Sequence, residues 1–381
     1  MKNFTIIFRM TNSCNLNCVY CYDKNNHTGA IQENKEFLKK IPDIIENISK
    51  LWENKYERSE IIFHGGEPLI ISTKCYDRLI KGIKQLYPNV KFSIQTNGTL
   101  INEEIVSILK KYHINVGISI DGFNEITNKY RVDFEGKNSF NRVMKNIQIL
   151  KDNNINFGII MTLTNSIKGK EEELYKFISE NNLKCNIRPA FQCDDNNIDF
   201  MTNEDYFEFF KNLFKIWIND EERKVKLTQI REIYDEFVKI LEPSHISRSC
   251  STSGKCFMNF ISLDCDGNIY SCNRTYNNKE FFYGNILNMD MENLKNIIES
   301  RQRERQHYLS NSKCKDCFLY RECNGGCPSN AFLMHQTLNS ADDYFCTAKI
   351  NIRRYLSQYL EKSKIKEEYI EMIRNDKKLY K

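Results

Sequence analysis

The alternation of short β-favouring runs with helical patterns is the feature that most constrains the fold of this chain. Between the first two runs, apolar residues recur at helical spacing from Phe37 to Trp52. Parallel strands need such crossover helices, so the pattern predicts an α/β fold with six βα units, a partial (β/α)6 barrel of the TIM type. The six predicted strands are residues 4–9, 60–63, 91–96, 115–120, 156–162 and 184–188.

Two loops of this predicted barrel contain residues suited to a cofactor. Cys14, Cys18 and Cys21 follow the first strand with the spacing C-x3-C-x2-C, and a Gly-Gly-Glu-Pro loop, residues 65–68, follows the second. Ligands bind at the C-terminal ends of parallel strands, so the two loops should meet at one mouth of the barrel. Three thiolates can hold three irons of a [4Fe–4S] cluster and leave the fourth iron open to a small molecule. An ordinary strand-to-helix turn is the alternative interpretation of the glycine loop.

Both loops, with Tyr20 immediately before the last cysteine, resemble the signature of the radical SAM superfamily. The resemblance implies that a [4Fe–4S] cluster on Cys14, Cys18 and Cys21 binds S-adenosylmethionine. The reduced cluster would cleave this cofactor to methionine and a 5′-deoxyadenosyl radical, which abstracts hydrogen from a substrate. Because such a radical attacks unactivated C–H bonds, the barrel should exclude water and position one substrate hydrogen.

The same resemblance implies which residues contact S-adenosylmethionine. The backbone of the glycine loop and the Glu67 carboxylate would contact its methionyl ammonium, whereas Ser119 and Arg131 would hold its carboxylate. Asn97 or Asp121 would face the sugar or the substrate, although each precedes a glycine and also suits an ordinary turn. The complete set of expected cofactor contacts is Tyr20, Gly65, Gly66, Glu67, Pro68, Gln95, Asn97, Ser119 and Arg131.

The C-terminal third is rich in cysteine, and its spacing resembles a SPASM domain, which holds two auxiliary [4Fe–4S] clusters. The chain would then carry three [4Fe–4S] clusters, and full thiolate ligation of the auxiliary pair would suit electron transfer. By this resemblance, one auxiliary cluster is ligated by Cys250, Cys256, Cys272 and Cys327, and the other by Cys314, Cys317, Cys323 and Cys346. A zinc ribbon is the alternative. Ordinary thiols are expected at Cys75, Cys185, Cys193 and Cys265.

These patterns divide the chain into four parts. A radical SAM domain is predicted for residues 1–195, a helical bridge for 196–244, the SPASM domain for 245–350 and a C-terminal helical tail for 351–381. Helical patterns at 205–219 and 224–241 define the bridge. The tail is highly charged and is expected to form a solvated closing helix.

Composition and charge limit the kinds of partner and the cellular compartment that can be expected. Hydrophobic residues make up 41% of the chain, which is ample for a buried core. The formal net charge of +5 falls close to zero once cluster-bound thiolates are counted, so no nucleic-acid partner is predicted. The N-terminus has neither an apolar signal segment nor a cleavage site, and no membrane span is evident. A cytoplasmic location without a membrane partner is therefore expected, where clustered cysteines indicate metal centres.

Two groups of the family fit this layout and differ in the reaction expected. Anaerobic sulfatase-maturating enzymes, which oxidise Cys or Ser to formylglycine, are the closest in cysteine spacing and length. In that group an aspartate thought to act as the base follows the cysteine that corresponds to Cys272, whereas here the residue is Asn273. An amide cannot accept the proton as a carboxylate does, unless Asp264 or Asp266 substitutes. The candidate catalytic residues are Asp121, Asp264, Asp266 and Asn273.

Because of Asn273, the sequence favours the other group, the maturases of ribosomally made peptides (RiPPs). These enzymes install thioether or carbon–carbon crosslinks in a small precursor, and formylglycine formation becomes the alternative. The expected partners are a peptide or protein substrate, an electron donor such as flavodoxin or ferredoxin, and a separate leader-binding protein. An iron–sulfur electron carrier without catalysis is disfavoured, because a carrier needs no cofactor pocket.

Overall fold

A curved parallel sheet forms the first half of the chain and confirms the six predicted strands. The computed structural model describes residues 3–24, 35–52, 58–190, 198–222, 224–226, 229–241 and 250–362. Neighbouring strands pair in sequence order and in parallel, as an unclosed partial barrel. The strands are β1 (Asn3–Thr11), β2 (Arg58–Gly65), β3 (Lys91–Thr96), β4 (Asn115–Ser119), β5 (Phe157–Leu163) and β6 (Cys185–Pro189).

Five helices cross over between these strands and cover the outer face of the sheet. They are α1 (Lys35–Trp52), α2 (Thr73–Leu86), α3 (Glu103–Tyr112), α4 (Phe140–Asp152) and α5 (Glu171–Glu180). Strand β5 shows how the sheet divides its side chains: Ile159, Met161 and Leu163 are buried in the core, whereas Ile160 and Thr162 line an inner cavity. This alternation with a period of two places every second residue inside the barrel.

Three further strands extend the same sheet beyond β1, which the sequence did not predict. Strand β7 (Phe260–Asp264) pairs in parallel with β1, and the short strands β8 (Asn268–Tyr270) and β9 (Phe282–Asn285) add antiparallel pairs. The sheet order is therefore β6-β5-β4-β3-β2-β1-β7-β8-β9. As a result, the cysteine-rich region is joined to the barrel by backbone hydrogen bonds.

Helices complete the C-terminal half. Helix α6 (Asn203–Ile218) matches its prediction, and α7 (Arg231–Leu241) covers the second half of the predicted 224–241 segment. The remaining helices are α8 (Cys256–Asn259), α9 (Met291–Ser310), α10 (Tyr320–Cys323), α11 (Pro328–His335) and α12 (Cys346–Lys362). Both expected boundaries of the bridge fall outside the described residues. No helix in the described ranges is long and apolar enough to cross a membrane.

The closing helix α12 packs into the main core, so the expectation of a solvated helix is wrong. Ala348, Ile352, Leu356 and Leu360 are buried at helical spacing, and the helix packs against α6. Five of its other positions are charged, so a count of charges alone concealed the apolar stripe. The predicted continuation beyond residue 362 lies outside the described residues.

Candidate active site

A cavity of about 2720 Å³ lies inside the barrel and reaches the cysteine-rich region. Cys14, Cys18 and Cys21 line it from the loop after β1. From the C-terminal region it is lined by Cys250, Cys256, Cys272, Cys323 and Cys327, whereas Cys314, Cys317 and Cys346 lie outside its lining. The structure therefore brings the three N-terminal cysteines and most of the expected auxiliary ligands to one continuous space.

The loop that carries the first three cysteines is buried and firmly held. Cys14 and Cys18 are buried and pack with Leu16 and Tyr20. Backbone hydrogen bonds from Asn17 N to Val132 O (2.7 Å) and from Val19 N to Tyr130 O (2.9 Å) fix the loop against the segment after β4. Burial raises the pKa of all three thiols, that of Cys21 to about 12. Buried thiols become thiolates when a bound cation balances their charge, so this donor set fits an iron–sulfur cluster.

The described residues include no group of three or more His, Cys, Asp or Glu side chains arranged to hold a metal ion. The ligand sets inferred from the resemblance therefore stay predictions. Their support is chemical: three thiols lie together in the loop after β1, and five of the eight C-terminal thiols line the same cavity.

The two glycines of the Gly-Gly-Glu-Pro loop allow this loop to touch the backbone of the cysteine loop. A Cβ atom at Gly65 would lie 2.2 Å from Thr11 O, and one at Gly66 would lie 2.2 Å from Ser13 O. Gly66 N donates to Thr11 O at 2.8 Å, and Glu67 N donates to Ser13 O at 2.8 Å. The glycines were expected to admit a ligand, and the structure shows in addition that any side chain here would separate the two loops.

The Glu67 carboxylate is completely buried behind the loop and does not line the cavity. It accepts hydrogen bonds from Leu69 N (2.9 Å), Thr96 Oγ1 (2.6 Å) and Asn97 N (2.7 Å). Burial raises the pKa of Glu67, and these hydrogen bonds partly offset that effect. The Glu67 carboxylate thus joins the loop to the end of β3, and its expected contact with the methionyl ammonium stays a prediction.

Replacement of Glu67 by Gln is therefore expected to destabilise the fold by about 1–3 kcal/mol, because an amide nitrogen replaces one acceptor among three buried donors. Chemical denaturation of the apo protein measures this cost, and iron content after reconstitution should fall with it. The matched control is Glu103→Gln on the exposed side of α3, which should change neither value. Unchanged stability with weaker S-adenosylmethionine binding would instead favour the cofactor contact.

Tyr20, Asp121 and Arg131 form one buried network beside the cysteine loop. The Tyr20 hydroxyl donates to an Asp121 oxygen, and Arg131 Nη1 donates to the Tyr20 hydroxyl at 3.0 Å. The second Asp121 oxygen accepts from Thr162 N at 2.8 Å. Burial raises the pKa of Asp121, and Arg131 opposes that shift. Asp121 does not line the cavity and supports Tyr20, and its expected contact with the sugar or the substrate stays a prediction.

Four other expected cofactor contacts share the cavity wall: Gln95, Asn97, Ser119 and Arg131. Gln95 Nε2 donates to Ser119 Oγ at 3.0 Å. Arg131 Nε is buried and has no hydrogen-bond partner within the described residues. An unpartnered guanidinium nitrogen on the cavity wall fits a ligand carboxylate, the group expected there from S-adenosylmethionine.

Asn273 lies in a polar cluster, including Arg9, Tyr22 and Asp23, that the sequence did not reveal. Arg9 Nη1 donates to Asn273 Oδ1 at 3.0 Å, and Asn273 Nδ2 donates to the Tyr22 hydroxyl at 2.5 Å. Arg9 is fully buried, pairs with Asp23 at 2.5 Å and lies 4.0 Å from the centre of the Tyr276 ring. An arginine within an apolar strand was the available signal, because a buried cation requires an anion nearby.

His64, also in this cluster, does not act as the base that the amide of Asn273 cannot provide. Gly65 N donates to His64 Nδ1 at 2.9 Å, so the neutral ring carries its proton on Nε2. Burial, reinforced by the nearby Arg9, lowers the pKa of His64 to about 4. The ring is therefore neutral at physiological pH and offers a donor rather than an acceptor through Nε2.

The two other aspartates proposed as a base lie away from the cavity. Asp264 accepts from the backbone N–H groups of Asp266 (2.8 Å) and Asn268 (2.9 Å) in the turn between β7 and β8. Asp266 pairs with Lys40 at 2.9 Å on the surface. Neither carboxylate is placed to take a proton from a substrate in the barrel.

Each expected auxiliary ligand set has a partly buried cation beside it. Arg274 lies near Cys272 and Cys327, with its Nη1 3.9 Å from Cys327 Sγ. Lys349 lies near Cys323 and Cys346. A [4Fe–4S] core of about +2 with four thiolates is net negative, so these cations suit such clusters.

The model of the radical SAM superfamily matches residues 8–178. With its partial barrel, its buried cysteine loop and the relatives described next, the chain belongs to the radical SAM superfamily. Family membership implies S-adenosylmethionine and one [4Fe–4S] cluster, for which the cysteine loop and Arg131 are suitably placed.

Among curated relatives, the cysteine-type anaerobic sulfatase-maturating enzyme of Clostridium novyi is 30% identical over 345 residues, which cover 87% of this chain and 89% of that enzyme. A solved structure, native anSMEcpe with bound AdoMet and Cp18Cys peptide, is 25% identical and covers 94% of this chain and 98% of that chain, with a TM-score of 0.76. Streptococcus suis SuiB bound to precursor peptide SuiA shares the fold at 18% identity, covering 91% and 76%, with a TM-score of 0.61.

Proposed function

We propose that this chain is a radical SAM enzyme that modifies a peptide or protein, and that it oxidises a cysteine of a sulfatase to formylglycine. The observation that carries this proposal is the 30% identity to a cysteine-type sulfatase-maturating enzyme over most of both chains. The sequence favoured RiPP crosslinking, and the relatives favour the alternative instead.

The bound cluster and cofactor supply a hydrogen-abstracting radical. In this proposal Cys14, Cys18 and Cys21 hold the cluster, and Arg131 with Ser119 binds the methionyl carboxylate. The Tyr20–Asp121 contact orients the Arg131 guanidinium, since Arg131 donates to that hydroxyl. The barrel wall then excludes water and holds one substrate hydrogen in place.

The proposed function also includes the domains of the chain and its electron donor. We infer a radical SAM domain at 1–195, a helical bridge at 196–244, a SPASM domain at 245–350 with two auxiliary clusters, and a tail at 351–381. Reducing equivalents would come from a flavodoxin or ferredoxin in the cytoplasm. A separate leader-binding protein belongs only to the RiPP alternative.

Asn273 limits the proposed reaction to one kind of substrate. Asn273 is buried behind the cavity wall, where its oxygen accepts from Arg9 and its amide donates to Tyr22, which lines the cavity. A thiol has a pKa of roughly 8.5 and loses its proton readily, whereas a hydroxyl needs a strong base held close to it. The amide at position 273 is therefore compatible with a Cys substrate and unsuited to Ser.

The reconstituted holoenzyme should thus form an aldehyde on a sulfatase-type Cys peptide and none on the matching Ser peptide. Anaerobic turnover with S-adenosylmethionine and a reductant, followed by hydrazide labelling and mass spectrometry, measures both. Asn273→Asp should add activity on the Ser peptide, because it restores a carboxylate beside Tyr22. Equal turnover of both peptides by the wild type would contradict the assigned role of Asn273.

The second candidate function is RiPP crosslinking, and the amide at position 273 is the observation that favours it. Thioether formation would consume the thiol of a short precursor without releasing an aldehyde. Loss of two hydrogens from a cysteine-containing precursor, with no product from either sulfatase peptide, would replace the proposed function by this one.

A further inference from the structure

Glu232 is a buried carboxylate on the cavity wall that the proposed reaction does not use. It lies in the first turn of α7, its side chain is 9% exposed, and it lines the cavity. By distance and angle neither of its oxygens accepts a hydrogen bond from a described residue, although the backbone N–H groups of Ile187 and Glu232 lie close enough to lower its pKa. Burial raises the pKa of Glu232 to about 7, and the nearby Arg188 offsets this only partly. A buried carboxylate with unsatisfied oxygens costs stability, so a role in binding a ligand explains its presence on the cavity wall.

Arg188 of β6 is the neighbour of this carboxylate. Its Nε lies 3.6 Å from Glu232 Oε1, beyond hydrogen-bonding distance, and donates to Asn186 Oδ1 at 3.0 Å. The Arg188 side chain is 45% exposed and lines the cavity. Together the two side chains present an acceptor and a donor to whatever occupies the barrel.

The other charged residues of α7 have closer partners. Arg231 pairs with Asp235 at 3.4 Å. Glu236 pairs with Lys239 at 2.5 Å and with Arg353 at 3.0 Å. Glu232 differs from these residues in having acceptor capacity left over.

The pair also lies near the expected cofactor. In the pairing of β5 with β6, Arg188 is opposite Thr162. Thr162 N donates to Asp121, which in turn contacts Tyr20 of the cysteine loop. The pair and the cysteine loop line the same cavity, so a peptide bound there can reach both.

We propose that Arg188 and Glu232 form a docking pair for the substrate peptide, in which Glu232 accepts hydrogen bonds from N–H groups of the peptide and Arg188 donates to its carbonyl oxygens. This inference rests on the proposed function, since it takes a peptide as the substrate. The N–H groups come either from the peptide backbone or from a basic side chain.

The test measures the affinity of the holoenzyme, with S-adenosylmethionine and without reductant, for a fluorescent sulfatase-type Cys peptide. Glu232→Gln and Arg188→Gln should each raise the Kd about tenfold, as loss of a hydrogen bond to a charged group predicts. Glu180→Gln, on the exposed end of α5, is the matched control and should leave the Kd unchanged.

Thermal unfolding of the same variants separates docking from a structural role. Glu232→Gln should leave the melting temperature unchanged or raise it, because a neutral amide is cheaper to bury than an unsatisfied carboxylate. A lower melting temperature together with an unchanged Kd would overturn the inference.

Failure of the docking pair and failure of the proposed function give different results. If the peptide binds in a Glu232-dependent way but gives no aldehyde, the proposed function fails and the docking pair stands. If the wild type does not bind the peptide, the pair does not dock this substrate. A peptide in which Lys and Arg are replaced by norleucine identifies the donor: retained dependence on Glu232 indicates backbone N–H groups, and lost dependence indicates a basic side chain.

Discussion

Replacement of Cys14, Cys18 and Cys21 by Ala is expected to abolish 5′-deoxyadenosine formation while leaving about eight irons per chain. These three thiols lie together in the loop after β1, and the eight other expected ligands lie in the C-terminal region. The triple variant should therefore lose one cluster and keep two. Iron analysis of the anaerobically reconstituted protein and chromatography of the nucleoside products measure the two effects.

The matched control is Cys75→Ala. Cys75 is a buried thiol of α2 that does not line the cavity, so this variant should retain all of its iron and its activity. Retained deoxyadenosine in the triple variant would refute the assignment of the first cluster. Loss of all iron would show that the auxiliary ligand sets do not assemble on their own.

Replacement of Arg9 by Met should destabilise the protein by about 3–5 kcal/mol, the cost of removing one partner from a buried ion pair. Arg9 is fully buried, Asp23 is 2% exposed, and their atoms are 2.5 Å apart. The guanidinium also holds Asn273 and Asn12, so the variant should loosen the cysteine loop. Urea denaturation of the apo protein measures the loss.

A double-mutant cycle with Asp23→Asn provides the control for this prediction. Neutralising the carboxylate removes the charge that Arg9 balances, so the double variant should be more stable than the sum of the two single effects implies. Purely additive losses, each below about 1 kcal/mol, would show that the two charges are not coupled.

The six parallel strands could be predicted because each is a short apolar run followed by a helical pattern. Strands β7 to β9 could not, since β8 is only three residues long and no helix separates it from its neighbours. Their place in the sheet depends on β7 pairing with β1, some 250 residues earlier in the chain. Pairings of such sequence separation are set by tertiary packing and leave little local signal.

The candidate site, like the fold, was predictable from the sequence only in part. Cysteine spacing identified the cluster loop, and most of the residues expected around the cofactor line one cavity, although Glu67 and Pro68 do not. The roles of Glu67 and Asp121 were not predictable, because whether a carboxylate faces a ligand or the backbone depends on the packing around it. The Arg9–Asn273 contact joins residues 264 positions apart and has no local pattern.

The junction of β1 with β7 has a mechanical consequence. The first cysteine loop follows β1, while Cys256 and Cys272 flank the β7–β8 hairpin, so one continuous hydrogen-bonded sheet carries all of them. A hinge motion that separated the two ends of the cavity would have to break five paired positions of that ladder. The spacing between the metal centres inferred at these cysteines is thus fixed by the backbone, whatever the size of the substrate. Access to the barrel must come from movement elsewhere in the chain.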